Sequence, residues 1–350
     1  QLFETIASYW NLLSLYKLRE IRIRSQQDLD DVGSIIIELV RGGELQPVKA
    51  TEIEGYMTAV NIQISRTTQL IDQSWQVLAT QMGLTAEEKL SNGKLFGEFP
   101  SLNSSIEFLA KLNKQQDFDY ITMALKNRDD YLAAADRIKA ERALLVKAKN
   151  DLLPQVNLFS NVGYTQIATT KFTETLSLFG GNLPLIGNPT FGVNRERQSS
   201  LSVNVGISME WPIENNVSIG QNIQQRARIR KAELEALNLE NLITSQVINA
   251  QNDLVLASQQ YEYAYESSKQ LAEAFKEELD LLHKGETTLN SVISLETRYT
   301  NASIAEIEAQ KKYAMAIIQL RFATGTILTD EEGDEAIAFD VNTAFTLPQT

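Results

Sequence analysis

Between Ser200 and Trp211 the chain alternates strictly. Leu201, Val203, Val205, Ile207, Met209 and Trp211 are apolar, while Ser200, Ser202, Asn204, Gly206, Ser208 and Glu210 are small or polar. A period of two puts the first set on one face of a strand and the second on the other. An earlier segment has the same period. Val156, Leu158, Val162 and Tyr164 share one face, and Asn157, Asn161, Gly163 and Thr165 the other, with Phe159 and Ser160 out of step. A loop rich in Gly, Asn and Pro, "GGNLPLIGNPTFGVNRER", separates the two segments, so a β-hairpin is expected over 155–211.

Elsewhere the period is helical. From Leu234 to Leu282, Val247, Leu254, Tyr261, Phe275 and Leu282 recur at one heptad position, with Ser268 completing the series. Ala250, Ala257, Ala264 and Leu271 follow three residues later. This two-seam pattern over about five heptads is the pattern of coiled-coil packing. After a break at "LHKGETT", a second helix carries Val292, Tyr299, Tyr313 and Leu320 on one seam. Its other seam is Leu295, Ala302, Ala309 and Ala316. A long antiparallel helical hairpin is expected over 220–325, with its turn at 283–289. Another helix is expected over 120–150, ended by Pro154, which cannot continue it.

The hairpin has a counterpart. "RGGELQP" at Arg41–Pro47 matches "HKGETTL" at His283–Leu289 at a constant offset of about 242 residues. At that offset Gly43 falls on Gly285, Glu44 on Glu286, Glu54 on Glu296 and Leu78 on Leu320. Gly83 falls on Gly325, each ending a helix as a glycine C-cap would. Ile6 falls on Ile248 and Leu12 on Leu254. The pattern reads as an internal duplication. Repeat one covers 1–118, with its turn at 41–47, and repeat two covers 119–350. Each closes on an extended accessory segment, "KLFGEFPSL" near Lys94 and "AIAFDVNTAFTLP" near Ala336, the second lying within 326–350.

Composition narrows the function. A net charge of −13 over 350 residues argues against nucleic acid as partner, because phosphate binding needs a basic footprint. The chain has no Cys and one His, His283, which leaves neither a thiol nucleophile nor a zinc set. No glycine-rich phosphate loop is present. Acidic residues spread along helix faces as solvated positions do. These features exclude an enzyme and imply no cofactor and no metal. No run of about 18 apolar residues occurs, so no helix is expected to span a membrane. Hydropathy averages miss membrane strands, however, because half of each such strand is polar.

Alternation alone fits a half-buried soluble hairpin too. Three features favour a membrane. Each segment is near the 9–11 residues of a tilted spanning strand. Trp211 and Tyr164 suit an interfacial girdle. The flanking helices offer no soluble core to cover the strands. The apolar face Leu201, Val203, Val205, Ile207, Met209 and Trp211 is therefore expected to face lipid.

"LLPQVNL" at Leu152–Leu158, "ISMEWPI" before a helix, "LLHKGETTLNSVISLETRYTNA" from Leu281 and "QLRFATGTIL" together resemble the TolC-like outer membrane efflux proteins. The resemblance covers nearly the whole chain through order, spacing and duplication. It implies a homotrimer in which each chain gives four strands to a shared outer-membrane β-barrel and long helices to a periplasmic α-barrel. It also implies an equatorial collar, a periplasmic adaptor, an inner-membrane pump, and a location in the outer membrane reaching into the periplasm. The turns Arg41, Gly42, Gly43 and Glu44, with Lys284, Gly285, Glu286 and Thr287, would meet the adaptor's helical hairpins. The plainer reading is that the glycines simply permit the turns. Some members carry acidic residues just past the turn, at the pore constriction. The matching positions here are Lys49, Ser291 and Ser294.

Repeat one starts at Gln1, which falls near Ile243, so by the repeat logic about 120 residues of a leading helix and strand hairpin are expected upstream. This segment alone would give a trimer six strands, and about eight merely fill a barrel with side chains. The leading expectation is a passive export duct of a tripartite pump or a type I secretion system. A channel dedicated to metal ions would call for Met or His clusters, against five Met and one His. A periplasmic coiled-coil scaffold would pair Ser200–Trp211 in a soluble sheet.

Overall fold

The computed structural model describes residues 2–85, 87, 97–101, 114–172, 193–210, 215–328 and 346–348. The order is α1 (Leu2–Arg41), α2 (Val48–Gln81), α3 (Lys114–Asn127), α4 (Asp129–Asn150), β1 (Gln155–Phe172), β2 (Val193–Glu210), α5 (Asn216–His283) and α6 (Leu289–Thr324). Two compact units result: residues 1–135 with 234–350, and residues 136–233.

In the first unit, α1 packs on α2 and on α6, and α3 packs on α6. The heptad seams read from the sequence face one another. Val247, Leu254, Phe275 and Leu282 of α5 are buried, as are Val292, Tyr313 and Leu320 of α6. Their layers run antiparallel. The Tyr261 and Tyr313 rings lie 6.1 Å apart between centroids. One heptad on, the Ser268 hydroxyl donates to the Glu306 carboxylate. One heptad further, Phe275 stacks on Tyr299 at 6.0 Å. Each layer thus steps seven residues forward on α5 and seven back on α6. The polar members of the two seams meet each other, so neither faces an apolar layer.

The expected single helix over 120–150 is instead two helices, α3 and α4, separated at Arg128. Arg128 forms a bidentate pair with Asp130, at 3.1 and 2.7 Å, and donates to Gln246 Oε1 at 2.6 Å. The break lies against the end of α6. Gly325 closes that helix in a left-handed conformation, φ +70°, while Thr326 N–H returns to the Arg321 carbonyl at 2.9 Å. A Cβ on Gly325 would stand 3.1 Å from the Asn127 carbonyl carbon and 3.2 Å from the Arg128 nitrogen. Glycine is required here by conformation and by space together.

Buried Arg321 fastens the described part of the C-terminal segment. It donates to the carbonyls of Thr346, Leu347 and Thr326 and to the Thr346 hydroxyl. Phe99, within 97–101, stacks on Trp10 at 5.6 Å. The remainder of both accessory segments, including Lys94 and Ala336, lies outside the described residues.

In the second unit, α4 ends in a turn at 151–153, and Pro154 precedes β1. Asn215 donates to the carbonyls of Asp151 and Leu152 at 3.4 and 3.5 Å. Gln225, buried, donates to the Glu141 carboxylate at 2.6 Å. β1 and β2 pair antiparallel over 18 residues each, from Gln155↔Glu210 to Phe172↔Val193. The ladder is longer than the alternation alone suggested. Polar residues such as Thr169, Thr170, Asn194 and Arg195 extend it, and they carry no hydrophobic period.

Candidate functional site: the strand hairpin and the two interhelical turns

The strand register decides which faces coincide. Val156 pairs with Met209, Leu158 with Ile207, Ser160 with Val205, Val162 with Val203 and Tyr164 with Leu201. Directly paired residues of an antiparallel ladder lie on the same face. The apolar sets of both strands therefore form one continuous surface, interrupted only by Ser160. Its nine large side chains are 58% to 75% exposed. That is far more contiguous apolar area than a soluble surface ordinarily leaves bare. Trp211, expected to complete the face, lies outside the described residues.

The polar face explains the residue that broke the alternation. Phe159 stands opposite Gly206, and a Cβ there would come within 2.4 Å of the Phe159 ring. The ring lies across the glycine and covers backbone that no side chain of β2 would shield. Gly163 is matched by Ser202, whose hydroxyl donates to the Gly163 carbonyl at 3.1 Å.

In the first unit, both turns stand over one apolar cluster. Leu29, Val32, Ile35, Ile36 and Ile53 of one hairpin bury with Phe275, Leu282, Leu289, Val292 and Ile293 of the other. Burial of side chains of this size contributes roughly 1.5–3 kcal/mol each, so the turns share a firm base. Gly43 and Gly285 take φ +79° and +69°. Arg41, Gly42, Gly43 and Glu44 are exposed, as are Lys284, Gly285 and Glu286, while Thr287 is half-buried.

The turns differ in their side chains. Their main-chain bonds match, Glu44 N–H reaching the Leu39 carbonyl at 2.9 Å and Glu286 N–H the Leu281 carbonyl at 3.0 Å, but in the first turn the N-cap of α2, Pro47, offers no side-chain cap. In the second, the Thr288 hydroxyl caps α6 by accepting from Ser291 N–H at 3.3 Å. Glu278, one α5 turn back, accepts from the Thr287 hydroxyl, and the neighbouring Ser291 and Thr287 hydroxyls hold its carboxyl below the usual range. Ser291 and Ser294 are exposed, and Lys49 pairs with Glu52 at 2.7 Å. Nothing in the local pattern singled out Glu278. Its contact with Thr287 depends on the fold of the turn.

A further junction joins the two hairpins. Glu296 of α6 is buried and accepts from Ser25 of α1 and, at 2.8 Å, from Thr300. Arg24 donates to the Tyr299 hydroxyl at 3.0 Å, its guanidinium 5.7 Å from the ring centroid. Among the described residues no group of three or more His, Asp or Glu side chains is placed to hold a metal ion. No helix among them is long and apolar enough to cross a membrane.

A surface of strands that water does not suit, carried on long heptad-patterned helices, defines a class of membrane-associated coiled-coil protein. Residues 120–326 match the outer membrane efflux protein family, and the chain belongs to it. The family consists of passive outer-membrane channels that reach into the periplasm, not of enzymes, and the outer membrane is where this chain belongs. No curated protein matches the chain. Among solved structures, the chain is similar to the CmeC outer membrane channel of Campylobacter jejuni, with 16% identity and a TM-score of 0.64 over 93% of this chain and 62% of that one. It is also similar to the outer-membrane channel OprN, with 16% identity and a TM-score of 0.68 over 93% and 65%. The outer membrane protein VceC of Vibrio cholerae gives 15% identity and a TM-score of 0.67 over 92% and 69%. The chain therefore spans 62% to 69% of the length of these structures, and the likeness is one of fold.

Proposed function

We propose that the protein is the passive export duct of a tripartite efflux pump or type I secretion system, working as a homotrimer with a periplasmic adaptor and an inner-membrane pump. The carrying observation is the register-matched apolar face of the strand hairpin, which calls for lipid. In this reading the hairpin joins those of other strand pairs in a shared barrel, and the polar face with Asn161, Asn204 and Ser208 looks inward. The two helical hairpins act as repeats. Their four glycines at positive φ, Gly43, Gly83, Gly285 and Gly325, fall in matching places, which supports that reading. The turns at Arg41–Glu44 and Lys284–Thr287 form the periplasmic mouth and receive the adaptor.

The test is a pair of charge insertions. Val205→Arg places a cation on the lipid side, where it costs roughly 2–4 kcal/mol near mid-bilayer. Asn204→Arg, on the opposite face, is mild. We expect Val205→Arg to lower the detergent-extractable membrane fraction sharply and Asn204→Arg to leave it near wild type. Equal loss in both, or release of the wild-type protein without detergent, removes the membrane reading.

A further inference from the structure

The two turns differ in how firmly they are held. Both rest on the same apolar cluster and both pivot on a left-handed glycine, but among the described residues a side chain reaches into the turn only in the second, Glu278 to Thr287. Glu278 lies on α5 before the turn, Thr287 in the turn and Ser291 in the first turn of α6. One carboxylate on α5 thus holds the turn through the Thr287 hydroxyl, with Ser291 of α6 close by. The first turn has no equivalent. At the repeat offset Ile36 stands where Glu278 does, and Leu45 where Thr287 does, and both side chains serve the apolar cluster instead.

We propose that Glu278 is a positioning residue for adaptor docking: it holds the α5–α6 turn in a single shape, so that this turn sets the register of the docked helical hairpin and the α1–α2 turn adapts to it. The inference rests on the docking role proposed above. Its physical basis is preorganisation. A turn already held in its bound shape loses less conformational freedom when a partner closes on it. A hydroxyl donating to a charged acceptor is stronger than a neutral pair. The exposed Lys284 and Glu286 stand on a turn that adds this side-chain tie to main-chain bonds of the same kind that hold Arg41 and Glu44.

The experiment uses the full-length channel in its own cells, with a photo-crosslinking residue replacing Lys284 or, separately, Arg41. The adaptor adduct is identified by mass spectrometry. Amide hydrogen exchange is followed on the purified trimer. In the wild type we expect exchange at Glu286–Thr288 to be slower than at Glu44–Gln46 by about tenfold. Glu278→Ala should abolish that difference and cut adaptor adducts from position 284 several-fold, leaving trimer yield unchanged. Glu278→Gln keeps an acceptor for Thr287 and should retain most of both signals. Faster exchange with unchanged adducts in Glu278→Ala overturns the positioning role, as does unchanged exchange. Gly285→Val separates the two layers of the argument. If it abolishes adducts while Glu278→Ala does not, docking at the turn stands and the role of Glu278 falls. If neither variant alters adducts, both fall.

Discussion

At the scale of single residues, glycine shows how one residue type serves different ends. Gly285 and Gly325 have nearly the same φ, +69° and +70°. An added Cβ on Gly285 meets nothing within 4 Å, whereas on Gly325 it meets the backbone of Asn127 and Arg128. The left-handed conformation alone costs a non-glycine residue roughly 1–2 kcal/mol. Gly285→Ala should therefore lower stability by about that much, and Gly325→Ala by clearly more, because backbone cannot move aside as a side chain can. Thermal melts of the two variants check this, and equal losses would mean that the close approach at Gly325 relaxes freely. The sequence showed both glycines at helix ends. It did not show that α3 breaks beside one of them, because that demand comes from a segment about 200 residues away. Phe159 is a similar case. Alternation marked it as an error, and only the cross-strand partner Gly206 reveals why an aromatic ring belongs on the polar face.

At the scale of elements, the heptad seams were legible because α5 and α6 bury most of their positions and half-bury the rest. Val247, Leu254, Leu282, Val292 and Leu320 fall where a period of seven puts them. The strand faces were legible for the same reason, period two being as strict as period seven. The break between α3 and α4 was not, since "KNRDDY" contains neither Gly nor Pro, and the interruption arises from the pairing of Arg128 with Asp130 and Gln246. The alanine seam supports a prediction. Ala257 and Ala309 are both buried, at 7% and 6% exposure. Leucine at either place adds three carbons where helices approach closely, and overpacking of this kind costs about 1–3 kcal/mol. Ala257→Leu and Ala309→Leu should each lower the midpoint of thermal unfolding. An unaltered midpoint in both would place the seam on the solvent side.

At the scale of the molecule, the two hairpins of the first unit are joined through charge as well as through apolar contact. Asp28 of α1 lies beside buried Glu296 of α6. Burial first, then Glu296, push its carboxyl up to about 6, with Arg24 opposing and Asp31 adding to the shift. The folded protein therefore keeps a proton that the unfolded chain releases. The stabilisation from this group is fully present below the unfolded value near 3.8 and is lost as pH rises through about 6. Thermal stability should fall across that window, and Asp28→Asn should flatten the slope. Equal slopes in variant and wild type would show that the junction does not titrate there. This link was beyond the sequence. Asp28 and Glu296 lie far apart along the chain, and each looked like one more solvated acid among the acidic residues of the helix faces.

The Ser268–Glu306 layer has a consequence for how these helices can move. A slide of α6 along α5 by one heptad would set Glu306 against Tyr261 or Phe275, and it would leave the Ser268 hydroxyl facing an apolar ring. Parting a half-buried carboxylate from its donor and leaving buried Ser268 without an acceptor is unfavourable. Translation of one helix past its partner is thus barred, while swinging the α5–α6 pair as one lever leaves the layer intact. Any widening at the turns must come from hinged, whole-hairpin motion.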